Sequence, residues 1–357
     1  MNKPGTFRAP AISVIVPMRN EAEAIGGCLE SLLSQTIPIS EYEIVVVDGM
    51  SDDGSYALVS NLQARFPNVV LLTNPARVMP AGMNIGLSSA CAPVVVVAGA
   101  HTSYPSSYLE NCLAYLDKTG ADVVGGPLLT TALDHSFVPR MICAILSSRF
   151  GVGNAAFRTG MKEGWVDTVP YGAYRKQVFE RCGIYNERLV RAQDSELHAR
   201  IRHNGGRIYQ TPALLTHYHP VSTFRALWRK AFLDGEWQCF AAVQNPQSFS
   251  LRRFVPALML LLLFGASVLA FSVPGVWLFL AILFLSYILT GLFFGSTQTG
   301  RSDLLTRFAL PFCAFPFHVC YGAGTLVGLL RARREPALRT STHGAGPLDD
   351  KTVPSER

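Results

Sequence analysis

Charge is scarce in this chain, and so is any pairing of cysteines that would hold a fold by covalent or metal bonds. Of its 357 residues 16% are charged and 49% are apolar, where an ordinary soluble domain carries about 25% charge. The net charge of +6 is modest, and before Leu251 the Lys and Arg are scattered. No basic patch with interleaved aromatics exists, which excludes the usual nucleic-acid modules. Eight cysteines occur without a CxxC pair, so neither a zinc site nor a disulfide framework is expected, and reduced, buried thiols are. No Asn-x-Ser/Thr sequon is present, and the polar start MNKPGTFRAP is unlike a signal peptide. No GxGxxG follows the first strand, which argues against a dinucleotide dehydrogenase.

The apolar excess is concentrated from Val255 onward, in runs such as PALMLLLLFGASVLAF and VWLFLAILFLSYILTGLFF. The expected organisation is therefore a polar tail (1–10), a globular domain (11–221), an interfacial helix with linker (222–250), a membrane region (251–334) and a disordered tail (335–357). Segments 255–271 and 276–294 read as a helical hairpin, each limb about 25–28 Å long at the helical rise. Arg252, Arg253, Arg301 and Arg307 flank its ends and place the N-terminal domain in the cytoplasm. Segment 308–330 is broken by Pro311, Pro316 and glycines, which leaves open a span or a re-entrant piece. Gly322, Gly324 and Gly328 suit close helix packing. In 223–243, Trp228 and Trp237 suit headgroup depth; a domain helix packed on the sheet is the alternative.

The N-terminal half alternates β-branched runs (Ile12–Val16, Ile44–Val47, Val69–Leu72, Val94–Val97) with helical patterns (about 21–35, 56–65 and 81–90). That alternation predicts an α/β fold with a mostly parallel sheet covered on both faces, and ligands bind beyond the carboxyl ends of such strands. The polar clusters fall there: Pro17-Met18-Arg19-Asn20-Glu21 after the first run, Asp48-Gly49-Met50-Ser51-Asp52-Asp53 after the second. Ser51 or Asp52 would serve equally as a helix cap. Residues 150–164, rich in glycine, read as a mobile loop over the site. Asp194 opens a predicted helix with Leu197 and Ile201 facing inward; it is a candidate general base or an N-cap.

Taken together, VIVPMRNE, EIVVVDGMSDDGS, NPARVMPAGMNIGLSSA and VDTVPYGAYRKQVFERCGIYNERLVRAQDSELHARIRHNGGRI resemble family 2 glycosyltransferases of the GT-A fold, nearest to succinoglycan-type exopolysaccharide glucosyltransferases with C-terminal membrane helices. The resemblance covers about residues 11–237. It implies a nucleotide-sugar site made by Pro17, Asn20, Glu21, Asp48 (on uracil), Ser51, Asp52, Gly82, Asn84, Gly99 and His101. It further implies Asp194 as catalytic base, with Asp167, Gly172 and Glu196 on the acceptor side. The implied activity is inverting transfer of a sugar, glucose from UDP-glucose, to a lipid-linked acceptor at the inner membrane. A non-catalytic nucleotide-sugar-binding subunit and a polyprenyl-phosphate sugar synthase are the alternatives. No Gln-x-x-Arg-Trp of processive synthases occurs.

One position departs from the pattern. Where the family carries Asp-x-Asp or Asp-x-His to hold Mg²⁺ or Mn²⁺, this chain has Gly99-Ala100-His101. Glycine ligates nothing, and a single imidazole suits hard Mg²⁺ poorly. Three arrangements remain: an ion held through the diphosphate and His101, a cationic side chain (Arg77, Arg158 or Lys162) in its stead, or binding without turnover. His217 and His219 are spaced like a metal pair but have no third partner in the sequence, and are read as acceptor-side or structural.

Overall fold

A computed structural model describes residues 9–132, 134, 136–297 and 304–335; most of the expected tails (1–10 and 335–357) and Arg301 lie outside them. The chain opens β1 (Ile12–Met18), α1 (Ile25–Leu33), β2 (Tyr42–Asp48), α2 (Ser55–Arg65), β3 (Val69–Thr73), α3 (Met79–Ser89) and β4 (Val94–Val97). These strands pair in parallel, with Met18 beside Asp48 and Asp48 beside Thr73. That register aligns their carboxyl ends on one edge. Burial on both faces explains the unbroken β-branched runs. Along β1, Val14 and Val16 pack towards α1, while Ile15 faces Met83 and Leu87 of α3. The contact with α3 is close enough that a Cβ on Gly86 would lie 2.4 Å from Ile15 Cγ2.

Next come β5 (Thr102–Ser103), α4 (Tyr108–Thr119), β6 (Val123–Gly125), β7 (Leu128–Thr130), α5 (Phe137–Ser147), α6 (Arg149–Val152), α7 (Ala156–Thr159), β8 (Gly164–Trp165), β9 (Ala173–Arg175), α8 (Gln177–Cys182), α9 (Gln193–His203), β10 (Ile208–Gln210) and β11 (Thr216–Tyr218). The main sheet runs β3-β2-β1-β4-β9-β6-β10-β8, and β5-β11-β7 forms a small second sheet. Strand β9 is antiparallel to both its neighbours, so the sheet is mostly parallel, as expected. Segment 150–164 is not a free loop: it contains α6 and α7, and Phe150 packs 4.9 Å from Tyr287 and 5.5 Å from His318. Its glycines hid the aromatic that pins it.

The helical region comprises α10 (Phe224–Gln244), α11 (Val255–Leu269), α12 (Gly275–Thr297) and α13 (Leu304–Arg334). Helices α12 and α13 are long and apolar enough to cross a membrane. The first hairpin limb, α11, has 15 residues, about 22 Å of helix against a bilayer core of about 30 Å. The apolar side chains of α11 and α12 point outward: Phe264, Leu278 and Phe293 are all exposed. Helix α13 runs unbroken through Pro311 and Pro316, contrary to the expected interruption. An internal proline costs about 3 kcal/mol, and packing against α5, α10, α11 and α12 offsets it.

Trp237, expected at headgroup depth, is buried inside the protein. It is buried with Leu189, Phe240 and Ala332, and the Arg331 guanidinium lies 4.3 Å from its ring centre. Helices α10 and α13 run alongside in near backbone contact. A Cβ on Gly324 would sit 1.9 Å from Phe232 O, one on Gly328 2.3 Å from Glu236 O, and one on Gly235 2.1 Å from Tyr321 O. The glycines expected to allow close helix packing do so here. The far end of α13 thus returns to the α/β domain, where Glu335 lies 3.8 Å from Arg188. All eight cysteines are free; Cys91 alone among them is exposed.

Candidate functional site

The two polar loops beyond β1 and β2 are laced into one surface. Asn20 and Met50 adopt left-handed backbones (φ 54° and 61°), tolerable for Asn and uncommon for Met. Asn20 N–H donates to Ser51 Oγ at 2.9 Å, and Asp52 N–H donates to Asn20 Oδ1 at 3.0 Å. Glu21 N–H reaches Ser55 Oγ at 2.8 Å, and Ala22 N–H reaches Asp53 Oδ2 at 2.9 Å. Asp48 is buried at the end of β2 and accepts from both the hydroxyl and the N–H of Ser51. Neither Ser51 nor Asp52 caps α2, which starts at Ser55 behind Gly54. Each carboxylate oxygen has two lone pairs, so Asp48 keeps acceptor capacity for a ligand at the loop surface.

Beyond β4, a pocket of about 80 Å³ is lined by Pro17, Glu21, Gly99, His101, Tyr171 and Asp194, among others. It shares Glu21, Met79, His101 and Asp194 with a chamber of about 1090 Å³ between the α/β domain and the helical region. Arg19, Arg77, Arg149, Arg158, Arg252 and Arg253 line that chamber. Its opposite wall is apolar: Val255, Pro256 and Met259 of α11, Tyr287 of α12, and Phe317 and Tyr321 of α13.

Asp194 is one of two carboxylates both spaces share, the other being Glu21. The cap position of α9 is Ala192, in a left-handed backbone (φ 65°), with no side-chain cap; Asp194 is therefore not the N-cap. It has no hydrogen-bond or ion-pair partner among the described residues. Burial lifts its pKa to about 6, as it does for a carboxyl facing apolar surroundings. An unpaired carboxylate poised near neutrality at a pocket wall is equipped to accept a proton. Beneath it, His198 is fully buried, with Nε2 2.9 Å from the Tyr174 hydroxyl and Nδ1 2.7 Å from Thr168 Oγ1. Burial and the nearby Arg202 push its pKa down to about 3, so it is a neutral prop.

Other expected site residues are spent elsewhere. Asn84 is buried; its Nδ2 donates to Tyr185 O (2.9 Å) and Glu187 Oε1 (2.8 Å), and its Oδ1 accepts from Tyr185 N–H. It ties α3 to the loop before α9. Glu196 is paired with Arg200 and also accepts from Asn245 at 2.7 Å, so it braces α9 against the residues after α10. Asp167 is exposed, 3.4 Å from Arg252 and 3.8 Å from Arg202. Gly82 packs under Pro17, whereas Gly172 does line the pocket, packed against Tyr174 and Val123. His219 is held by Thr131 at 3.3 Å. Sequence reasoning passed over Tyr171, Tyr174 and His198; the i, i+4 spacing from Asp194 was the available signal for His198.

The residues present do not fit a resident divalent cation. His101 Nδ1 lies 3.3 Å from Glu21 Oε1, but no group of three His, Cys, Asp or Glu side chains converges among the described residues. A Cβ on Gly99 would meet Tyr171 at 2.6 Å (Cε1), 2.9 Å (Cζ) and 3.0 Å (Oη). The space a carboxylate would need there holds a phenol ring.

Comparison with known proteins follows from this geometry. Residues 13–183 match the family model described as Glycosyl transferase family 2. The succinoglycan biosynthesis protein ExoA of Rhizobium meliloti (strain 1021) is 27% identical over 331 residues, covering 91% of this chain and 96% of that protein. A dolichyl N-acetyl-alpha-D-glucosaminyl phosphate 3-beta-D-2,3-diacetamido-2,3-dideoxy-beta-D-glucuronosyltransferase of Methanococcus voltae is 24% identical over 333 residues, covering 90% and 97%. Among solved structures, S. aureus TarS 1-349 in complex with UDP aligns at 15% identity and a TM-score of 0.47, over 88% of this chain and 90% of that one.

Proposed function

We propose that this glycosyltransferase, whose residues 13–183 match the Glycosyl transferase family 2 model, acts in exopolysaccharide or glycan biosynthesis and transfers a sugar from a nucleotide donor to a lipid-linked saccharide with inversion. The donor lies over the laced loops, its base towards Asp48 and its sugar in the pocket beside Gly99 and His101. UDP-glucose is the proposed donor. The acceptor hydroxyl enters from the chamber, and Asp194 takes its proton as the oxygen attacks the anomeric carbon.

The observation that carries this reading is the position of Asp194. It stands unpaired where the pocket meets a chamber with guanidinium groups on one side and bare apolar helices on the other. A diphosphate suits the guanidiniums, and a lipid tail suits the apolar wall. We place the domain in the cytoplasm at the inner membrane, with α11 and α12 in the bilayer. Because Arg331 pairs with Glu236 at 3.2 Å, the basic end of α13 stays on the domain's side, consistent with the positive-inside bias.

The test is label transfer from UDP-glucose into organic-extractable lipid by membranes holding the full chain. Lipid label that disappears in Asp194→Asn supports the reading; undiminished label in that variant ends it. A polyprenyl-phosphate sugar synthase remains the alternative, since the same guanidiniums suit a lipid monophosphate. A phosphate acceptor is already ionised and needs no base, so under that alternative Asp194→Asn would retain transfer.

A further inference from the structure

Resting on the nucleotide-sugar reading, we propose that Arg158, not a divalent cation, neutralises the donor diphosphate, because the Tyr171 ring fills the space into which a metal-binding carboxylate at position 99 would project.

The ring is held from several sides. Tyr171 sits in a left-handed backbone (φ 47°), a conformation that costs a non-glycine residue about 1–3 kcal/mol and persists only where surroundings enforce it. Its carbonyl accepts from the Tyr108 hydroxyl at 2.8 Å. The Tyr104 ring stands edge-on to it at 6.4 Å, and the Tyr104 hydroxyl accepts from Gly99 N–H at 2.7 Å. Gly99 and Tyr171 are thus fitted to each other through a third aromatic, and an aspartate at position 99 would require the ring to leave.

Arg158 supplies the missing charge. It lies on α7 and lines the chamber with Glu21, His101, Asp194 and Tyr218. Its guanidinium rests 5.1 Å from the Tyr218 ring centre, which fixes it without consuming its N–H donors. It has no ion-pair or hydrogen-bond partner among the described residues, and its Nη1 is buried and unsatisfied. A buried guanidinium nitrogen with nothing to donate to demands an acceptor, and a phosphate oxygen meets its geometry.

In the transfer, the acceptor oxygen bonds to the anomeric carbon as the bond from that carbon to the β-phosphate oxygen breaks. The bonding pair leaves on the phosphate, the hydroxyl proton passes to Asp194, and Arg158 faces the negative charge that develops on the departing nucleoside diphosphate. No further reactant is needed.

The experiment is calorimetric binding of UDP, GDP and uridine to the full-length protein in detergent, in EDTA and in Mn²⁺. Wild type is expected to bind its preferred diphosphate in EDTA, with Mn²⁺ changing Kd by less than about threefold. Arg158→Ala is expected to weaken diphosphate binding at least about tenfold, the worth of a charge-assisted hydrogen bond, while uridine binding is unchanged. Arg158→Lys keeps the charge and is expected to bind the diphosphate within about threefold of wild type, which is read even if the alanine variant fails to fold. A Mn²⁺ effect above about threefold in wild type, or an Arg158→Ala loss below about threefold with uridine binding intact, overturns the proposal. Binding of neither UDP nor GDP in any lane overturns the nucleotide-sugar reading, and this inference with it.

Discussion

Asp194 and His198 stand one turn apart on α9, and burial drives their protonation in opposite directions. The carboxyl is pushed up to about 6 and the imidazole down to about 3. One is left ready to take a proton from the chamber, and the other is prevented from taking one beneath it.

The first consequence is kinetic. On the proposed mechanism transfer requires the ionised Asp194, so the rate is expected to fall as pH drops through about 6. Asp194→Asn should lower turnover by about 10²–10⁴-fold and remove that acidic limb, with UDP affinity unchanged within about twofold. Turnover and UDP titrations at several pH values check it.

A stability difference accompanies it. A carboxyl whose folded pKa exceeds its unfolded value of 3.8 favours folding when protonated, and that contribution is lost as pH rises through about 6. Each tenfold difference in proton affinity between the folded and unfolded chain is worth about 1.4 kcal/mol. Asp194→Asn is therefore expected to be more stable than wild type at pH 7.5, with the difference shrinking towards pH 4; thermal melts at both pH values show it.

His198 acts in the other sense. Its folded pKa lies below its unfolded 6.5, so its neutral form supports the fold above that value, and the support declines as pH falls towards 3. His198→Ala is expected to cost about 2–4 kcal/mol at pH 7.5, from the cavity and the stranded Tyr174 and Thr168 hydroxyls. Its melts should be less acid-sensitive than those of wild type.

Gly99 and Tyr171 should be coupled. Gly99→Ala alone is expected to destabilise by about 1–3 kcal/mol through overpacking. In the background of Tyr171→Ala the same change should cost little, a coupling of about 1 kcal/mol or more. Melts of the two single variants, the double variant and wild type complete the cycle.

Helix contact makes the last prediction. Gly324→Leu would drive a side chain into Phe232 O and is expected to separate α10 from α13. The measurement is a melting temperature in detergent, with lowered lipid label beside preserved UDP binding.

Much of the α/β domain was legible because its strands are buried on both faces and its loops carry polar clusters at strand ends. Residues 44–47 and 94–97 announced themselves by β-branching alone, and Leu197 and Ile201 by helical period. The helical region was harder to read. Pro311 and Pro316 argue locally for a break, and only packing from neighbouring helices carries α13 through them. Trp237 has the composition of an interface anchor, yet long-range burial against Leu189 and Ala332 decides its place. Gly99 was conspicuous as a departure, but its partner Tyr171 lies 72 residues away in sequence and carries no local signal. Asn84 and Glu196 matched motif positions and turned out to be bonded within the fold.

The contact of α13 with α10 also bears on the order in which the molecule becomes competent during synthesis. On the proposed reading the donor loops and Asp194 leave the ribosome with the first domain, but Phe317, His318 and Tyr321, which wall the chamber, belong to α13 and are made later. On that reading a nascent chain stopped at α12 would hold a finished donor site beside an open acceptor side, able to bind nucleotide and exposed to water as a competing nucleophile.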